Sequence, residues 1–141
     1  MLFAVESETR KILEYATTIA VVGASTNADK PGASIPLELQ RHGYRILPVN
    51  PTAPDWFGAK VYKSLGDLPE KPDVVEVFRP AGEAPEIARQ AVAIGAKALW
   101  LQTGIASHEA RQIAQAGGLD YVEDRCMGVE RTLNRIEKTP G

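Results

Sequence analysis

The chain is poor in the residues from which many catalytic and anchoring devices are built. Among 141 residues there are one cysteine, two histidines, two methionines and 6% aromatics. A lone Cys126 excludes an internal disulfide, and His42 and His108 without any Cys-x-x-Cys pair give no zinc-ligand set, so no metal is expected. Long apolar runs are missing as well. The longest, IAVVGA at 19–24, is far short of the roughly 20 residues that cross a bilayer. The first residues, MLFAVESETRK, carry acidic groups where a secretory leader has a basic region, which makes the cytoplasm the expected location. Charge of one sign is also lacking: sixteen basic and eighteen acidic residues leave a net charge of −2, with no block of like charges. Neither nucleic acid nor an anionic membrane is an expected partner, and any anion has to be held by a local site. No repeat or low-complexity segment is visible.

What is present is enough apolar material, 44%, for a single core, so residues 1–141 read as one domain with its body at about 18–136. A leading helix is predicted over 6–16, with Ser7 as its N-cap and Val5, Thr9, Ile12, Leu13 and Ala16 on one side. TIAVVGAS (18–25) is a continuous, β-branched run of the kind found in strands buried on both faces. After a turn-rich stretch at 26–33, SIPLELQRHG predicts a helix with Ser34 as N-cap, Pro36 in its first turn and Gly43 beyond its end. A second strand is expected at 45–51. The segment 52–72, broken by Pro54, Pro69 and Pro72, is expected to hold at most a short strand near Lys60–Tyr62 and no full helix.

Strands are then predicted at 72–80, 96–104 and 119–124, and helices at 83–95, after Ser107, and at 128–136, with a frayed tail. The helix at 83–95 places Ile87, Ala88, Ala91 and Val92 on one stripe. The alternation gives an α/β fold: a Rossmann-like, three-layer arrangement with a five-stranded, mostly parallel sheet and helices on both faces. By analogy with doubly wound nucleotide-binding sheets, the expected strand order is 3-2-1-4-5.

In such a sheet the ligand crevice lies at the carboxyl ends of the strands, which draws attention to GASTNADKPGAS after the first strand and QTGIAS after the fourth. Gly23 permits a sharp turn, while Ser25, Thr26, Lys30 and Ser34 bring hydroxyls and a cation to a helix start, a favourable setting for phosphate. Turn residues at this point also serve any α/β protein without a ligand. The glycines at 23 and 32 are too far apart for a dinucleotide GxGxxG motif, and Lys30 precedes Gly32, unlike the lysine of a Walker loop. The second strand ends in Pro48, Val49, Asn50 and Pro51, without the acidic residue that holds an NAD ribose, although Asn50 can accept one hydrogen bond. Arg79 leaves the third strand at its carboxyl end, where a phosphate and a surface carboxylate are equally good partners.

Taken in order, IAVVGAS (19–25), KPG (30–32), LPVNP (47–51), VYKSLGDLP (61–69), DVVEVFRP (73–80), LWLQTGI (99–105) and DRCMGVE (124–130) resemble the CoA-binding domain family. These are small single-domain bacterial proteins similar to the N-terminal domain of the succinyl-CoA synthetase α subunit, and the resemblance runs from about Thr18 to Ile136. It implies coenzyme A, or an acyl-CoA, lying across the strand ends. The phosphates would be near Gly23, Ser25, Thr26 and Lys30 and the adenosine end near Asn50 and Pro51, with further contacts from Phe78, Arg79, Gln102, Thr103 and Gly104. In the synthetases a lysine follows the proline after the second strand. Here Thr52 and Ala53 occupy that region, leaving Lys30 and Arg79 as the cations at hand.

Other residues read as structural. Cys126 is expected as a buried thiol rather than a partner for the CoA sulfur, and His42 as a helix C-terminal cap. Glu123 and Asp124 read as loop solvation or as partners of Arg125, not as an acid/base pair. Trp100 is expected in the core, while Trp56 with Phe57 is expected at the surface, covering an adenine or a partner subunit. No catalytic residue stands out. The sequence therefore points to a small-molecule nucleotide ligand bound without catalysis, by a carrier, a sensor or the partner module of another enzyme. Two alternatives remain open: an NAD(P)-dependent enzyme or redox regulator on the same fold, and an interaction protein with a vestigial pocket. A homodimer through the last helix or the Trp56 loop is compatible with each.

Overall fold

The computed structural model describes residues 2–139, with side chains from residue 8 onward. Five parallel strands form one sheet: β1 (Thr18–Val22), β2 (Arg45–Val49), β3 (Val74–Val77), β4 (Ala98–Leu101) and β5 (Asp120–Val122). The helices are α1 (Leu2–Tyr15), α2 (Pro31–Arg41), α3 (Ala84–Ala93), α4 (His108–Ala116) and α5 (Met127–Asn134). The predicted α/β, Rossmann-like class is what the chain adopts. Its strand order is β2-β1-β3-β4-β5, which corrects the expected 3-2-1-4-5. The reason is local. The predicted third strand, β3, pairs directly with β1 instead of lying outside β2, and the outer edge of β2 is met by one parallel bridge between Val49 and Tyr62, in which Tyr62 N–H donates to Pro48 O and Asn50 N–H to Tyr62 O.

Side-chain alternation divides the interior in two. Ala20, Val75, Val77, Leu99 and Leu101 face α3 and α4, where Ile87, Ala88, Ala91, Ala110 and Ala114 meet them. Ile19, Val21, Val74, Ala98 and Trp100 face the opposite way and pack with Ile12, Leu13, Leu39 and Met127 of α1, α2 and α5. The strands are apolar on both faces because both are covered. Burying the Leu, Ile and Val side chains contributes about 1.5–3 kcal/mol each.

Several local expectations are corrected. Helix α1 starts at Leu2, so Ser7 lies within it rather than capping it, and the placement of the Val5 side chain falls outside the described residues. Helix α2 starts at Pro31, three residues before the predicted cap Ser34, because Pro31 fixes a helical φ at the first position. Pro36 therefore sits in the second turn, where it has no N–H to give the Gly32 carbonyl. The Ser25 N–H donates to that carbonyl instead, at 3.1 Å, and ties the loop after β1 to the helix. Ser107 caps α4 as expected, its hydroxyl accepting from Ala110 N–H at 3.1 Å. The tail is docked as far as Lys138: its N–H donates to His42 O at 2.9 Å, and Glu137 meets His42 Nδ1 at 2.7 Å.

Candidate functional site

The carboxyl ends of β1, β2, β3 and β4 open into a cavity of about 1230 Å3. This exceeds the 300–1,000 Å3 usual for a drug-sized ligand and suits an elongated one. The loop after β1 forms one wall. Gly23, at φ +87, turns the chain out of the strand, and a Cβ there would come within 3.1 Å of the Phe78 carbonyl oxygen. Gly32 closes the turn from the helix side, where a Cβ would lie 2.8 Å from the Gly23 carbonyl oxygen. Within the loop, Ser25 Oγ accepts from Asn27 N–H and Asn27 Oδ1 from Asp29 N–H, which brings Lys30 to the N-terminal edge of α2.

Ten of the twelve residues singled out in the sequence line this cavity: Gly23, Ser25, Thr26, Lys30, Asn50, Pro51, Phe78, Arg79, Gln102 and Thr103. Ser34 does not. One turn into α2, it lines a separate groove facing α5. Gly104 is likewise off the wall. At φ +83 it shapes the β4–α4 turn, its N–H donating to Asp124 Oδ1 at 2.7 Å.

Asn50 plays a different part from the one expected. Its Nδ2 donates to Ala24 O at 2.9 Å, and its Oδ1 accepts from the N–H groups of Thr52 and Ala53, both at 2.9 Å. While lining the cavity, the carboxamide clamps the β1 and β2 loops together. Trp56 reinforces the same loop from beneath. It is 1% exposed rather than at the surface, and its Nε1–H donates to Ser25 O at 3.0 Å. Phe57 does remain exposed, edge-on to Trp56, but neither ring lines the cavity.

Electrostatically the cavity has two sides. Lys30 and Lys63 reach it without a carboxylate partner among the described residues, whereas Arg79 is held by Glu83 through two hydrogen bonds of 3.1 and 2.7 Å. The pair raises the Arg79 guanidinium and lowers the Glu83 carboxyl, in each case mainly through that hydrogen bonding. Both groups are about half exposed, so solvent screens the pair and a ligand anion can take the place of Glu83. Glu83, Glu86, Gln90 and Ile87, from the start of α3, complete the far wall. Sequence reasoning missed these and Lys63. The turn Ala81–Glu83 leads α3 back over the strand ends, and the β2–β3 connection folds so that Lys63 supplies a cation where Thr52 and Ala53 do not.

Away from the cavity lining, the sheet buries an acidic residue that no sequence signal marked. Glu76, opposite Val21 and Trp100 in the sheet register, is fully buried on the α1/α2/α5 face, and neither carboxylate oxygen has a hydrogen-bond partner. Burial pushes its pKa up to about 8, which favours the neutral form. Gln102 is 4% exposed, and its Oε1 accepts from Met127 N–H at 2.8 Å, joining the cavity wall to the start of α5.

The remaining tempting residues are structural in the fold. His42 sits between Glu38 and Glu137 at the end of α2, and His108 opens α4; neither lines the cavity. Tyr121 O–H donates to Glu123, which also pairs with Arg111 at 3.5 Å, and Arg125 lies 3.8 Å from Glu130 rather than from the neighbouring acids. Trp100 is fully buried as expected, with Nε1–H donating to Arg125 O. Cys126 is partly buried at the N-cap of α5 and lines the groove that also contains Ser34. Among the described residues no helix is long and apolar enough to cross a membrane.

With the cavity and its loops in place, comparison with known proteins gives a consistent answer. The chain is 32% identical over 130 residues to the uncharacterized protein YneT of Bacillus subtilis, covering 92% of this chain and 96% of YneT. It is also 32% identical over 134 residues to acetate–CoA ligase [ADP-forming] II of Archaeoglobus fulgidus, but spans only 20% of that ligase. Among solved structures, the cell-free ID.343 protein of Thermus thermophilus superimposes with a TM-score of 0.85 at 36% identity, over 92% of this chain and 98% of its own. The model of the CoA binding domain matches residues 17–132, and the chain belongs to that family.

Proposed function

We propose that the chain binds coenzyme A or an acyl-CoA in the strand-end cavity without transforming it, as a carrier, a sensor or the partner module of another enzyme. The observation that carries this reading is the cavity itself. It brings Ser25, Thr26 and Lys30 at the start of α2 into one cavity with Lys63 and an exchangeable Arg79, as a ligand with several phosphates requires. Its length along four strand ends leaves room for an arm beyond the phosphates. The resident hydroxyls have no histidine beside them, so no activated nucleophile is assembled there. The match to one-fifth of an acetate–CoA ligase supports the same ligand, with the ligase chemistry left to the remainder of that enzyme.

Isothermal titration with coenzyme A, acetyl-CoA, NAD and NADP tests the reading. Coenzyme A or its thioester is expected to bind and the dinucleotides to bind weakly; tight dinucleotide binding with none for coenzyme A would overturn it. Silence from all four would leave an interaction protein as the better description. Lys30→Ala is expected to weaken coenzyme A binding about tenfold or more, the worth of one charge-assisted hydrogen bond.

A further inference from the structure

We propose that the groove between α2 and α5 receives the acyl chain of a coenzyme A thioester whose nucleotide end occupies the strand-end cavity, an inference that rests on the reading above. The groove has a volume of about 310 Å3 and a predominantly apolar lining that includes Ile35, Cys126, Gly128, Val129 and Leu133. Three features connect it to an acyl chain rather than to solvent or to a protein.

The first is continuity. Ile35 lines both the groove and the cavity, and Gln102 of the cavity wall binds the first N–H of α5, the helix that forms the other side of the groove. Ile35 thus stands where the two meet, and the proposed path of the ligand arm from the cavity to the groove runs past it.

The second is composition. Val129 and Leu133, 53% and 71% exposed, line the groove one turn apart on α5 and form its lip. Gly128 leaves the floor open, because a Cβ there would lie 3.5 Å from Ile35 Cγ2 and 3.8 Å from Cys126 Sγ. The single carboxylate of the wall, Glu38, is engaged by Arg41 and His42.

The third is size. The groove's volume of about 310 Å3 lies at the low end of small-molecule pockets, the scale of a short hydrocarbon chain.

Calorimetric titration with coenzyme A, acetyl-CoA and octanoyl-CoA tests the assignment, together with the variants Gly128→Leu, which fills the groove, and Leu133→Ser, which removes its exposed lip. Each buried methylene is worth up to about fourfold in Kd, and octanoyl-CoA is expected to bind at least about tenfold more tightly than coenzyme A. Both variants are expected to erase that advantage while leaving coenzyme A affinity unchanged. Leu133→Ser, at an exposed position, carries the test if Gly128→Leu does not fold.

Equal affinity for coenzyme A and octanoyl-CoA overturns the acyl site and leaves the proposed function standing. An advantage that survives in the folded variants overturns the location. A dimer in light scattering that Leu133→Ser dissociates assigns the groove to a second copy. Failure of folded wild-type protein to bind coenzyme A at all removes both readings.

Discussion

Glu76 is the residue whose chemistry departs most from its ordinary behaviour. Its folded pKa of about 8 stands above the ordinary 4.5, so between those values the folded chain holds a proton that the unfolded chain has released. The contribution of Glu76 to stability is therefore full below about pH 4.5, falls by about 1.4 kcal/mol per unit as pH rises toward 8, and levels off above. Urea unfolding of the wild type and Glu76→Gln at pH 6 and pH 8 is expected to show the variant gaining about 2–3 kcal/mol relative to the wild type over that interval. Parallel pH profiles would show that Glu76 does not titrate in this range. Gly32 gives a second residue-scale prediction: Gly32→Ala sets a methyl against the Gly23 carbonyl and is expected to destabilise by about 1–3 kcal/mol in the same assay. Both effects were only half legible in the sequence. The glycine stood in a recognisable loop, but Glu76 was read simply as part of the apolar run DVVEVFRP, because nothing in a run reveals which neighbours will desolvate a carboxylate.

At the level of elements, helices and strands were legible wherever a buried face imposed a period, as in α3 and β1. They were less so where one backbone group decided the outcome. The start of α2 is set by Pro31 rather than by the better-capping Ser34, and this shift carries Ser34 out of the cavity. Pro36, by leaving Gly32 O to the Ser25 N–H, makes the loop and the helix one unit. In Pro36→Ala the restored N–H competes for that carbonyl, and hydrogen exchange is expected to show the Ser25 amide losing protection while β1 amides keep theirs. Unchanged exchange at Ser25 would dismiss the competition. The Arg79–Glu83 pair belongs to this scale too, since it joins the end of β3 to the turn before α3. Glu83→Gln is expected to release Arg79 and tighten coenzyme A binding several-fold at low salt, an advantage that shrinks as salt is added. Trp56 was misplaced because a tryptophan in a loop flanked by Pro54 and Gly58 reads as exposed, whereas its indole is the prop beneath Ser25.

For the whole molecule, binding across the ends of four strands couples the ligand to the stability of the sheet. At a ligand concentration of about 100 times Kd, folding is stabilised by about 2.7 kcal/mol, and a scanning calorimeter is expected to register a rise in Tm of about 8 °C with coenzyme A. The fold class was readable because the strands are predominantly apolar on both faces, the pattern of a doubly covered sheet. The order of strands was not, because an apolar run does not say whether β3 pairs with β1 or lies outside β2, where the chain instead sets the single Tyr62 bridge. That bridge has a wider consequence. An open sheet presents its outermost strands to other chains, yet β2 carries Pro48, which offers no donor, and its outer backbone groups at Pro48 and Asn50 are taken by Tyr62. At the opposite margin β5 is three residues long and begins with Asp120, held by Lys11 and Tyr15. The remnant strand thus acts as a guard: it leaves little continuous edge on which a neighbouring copy could extend the sheet, and so protects the crowded, ligand-free protein from strand-by-strand aggregation.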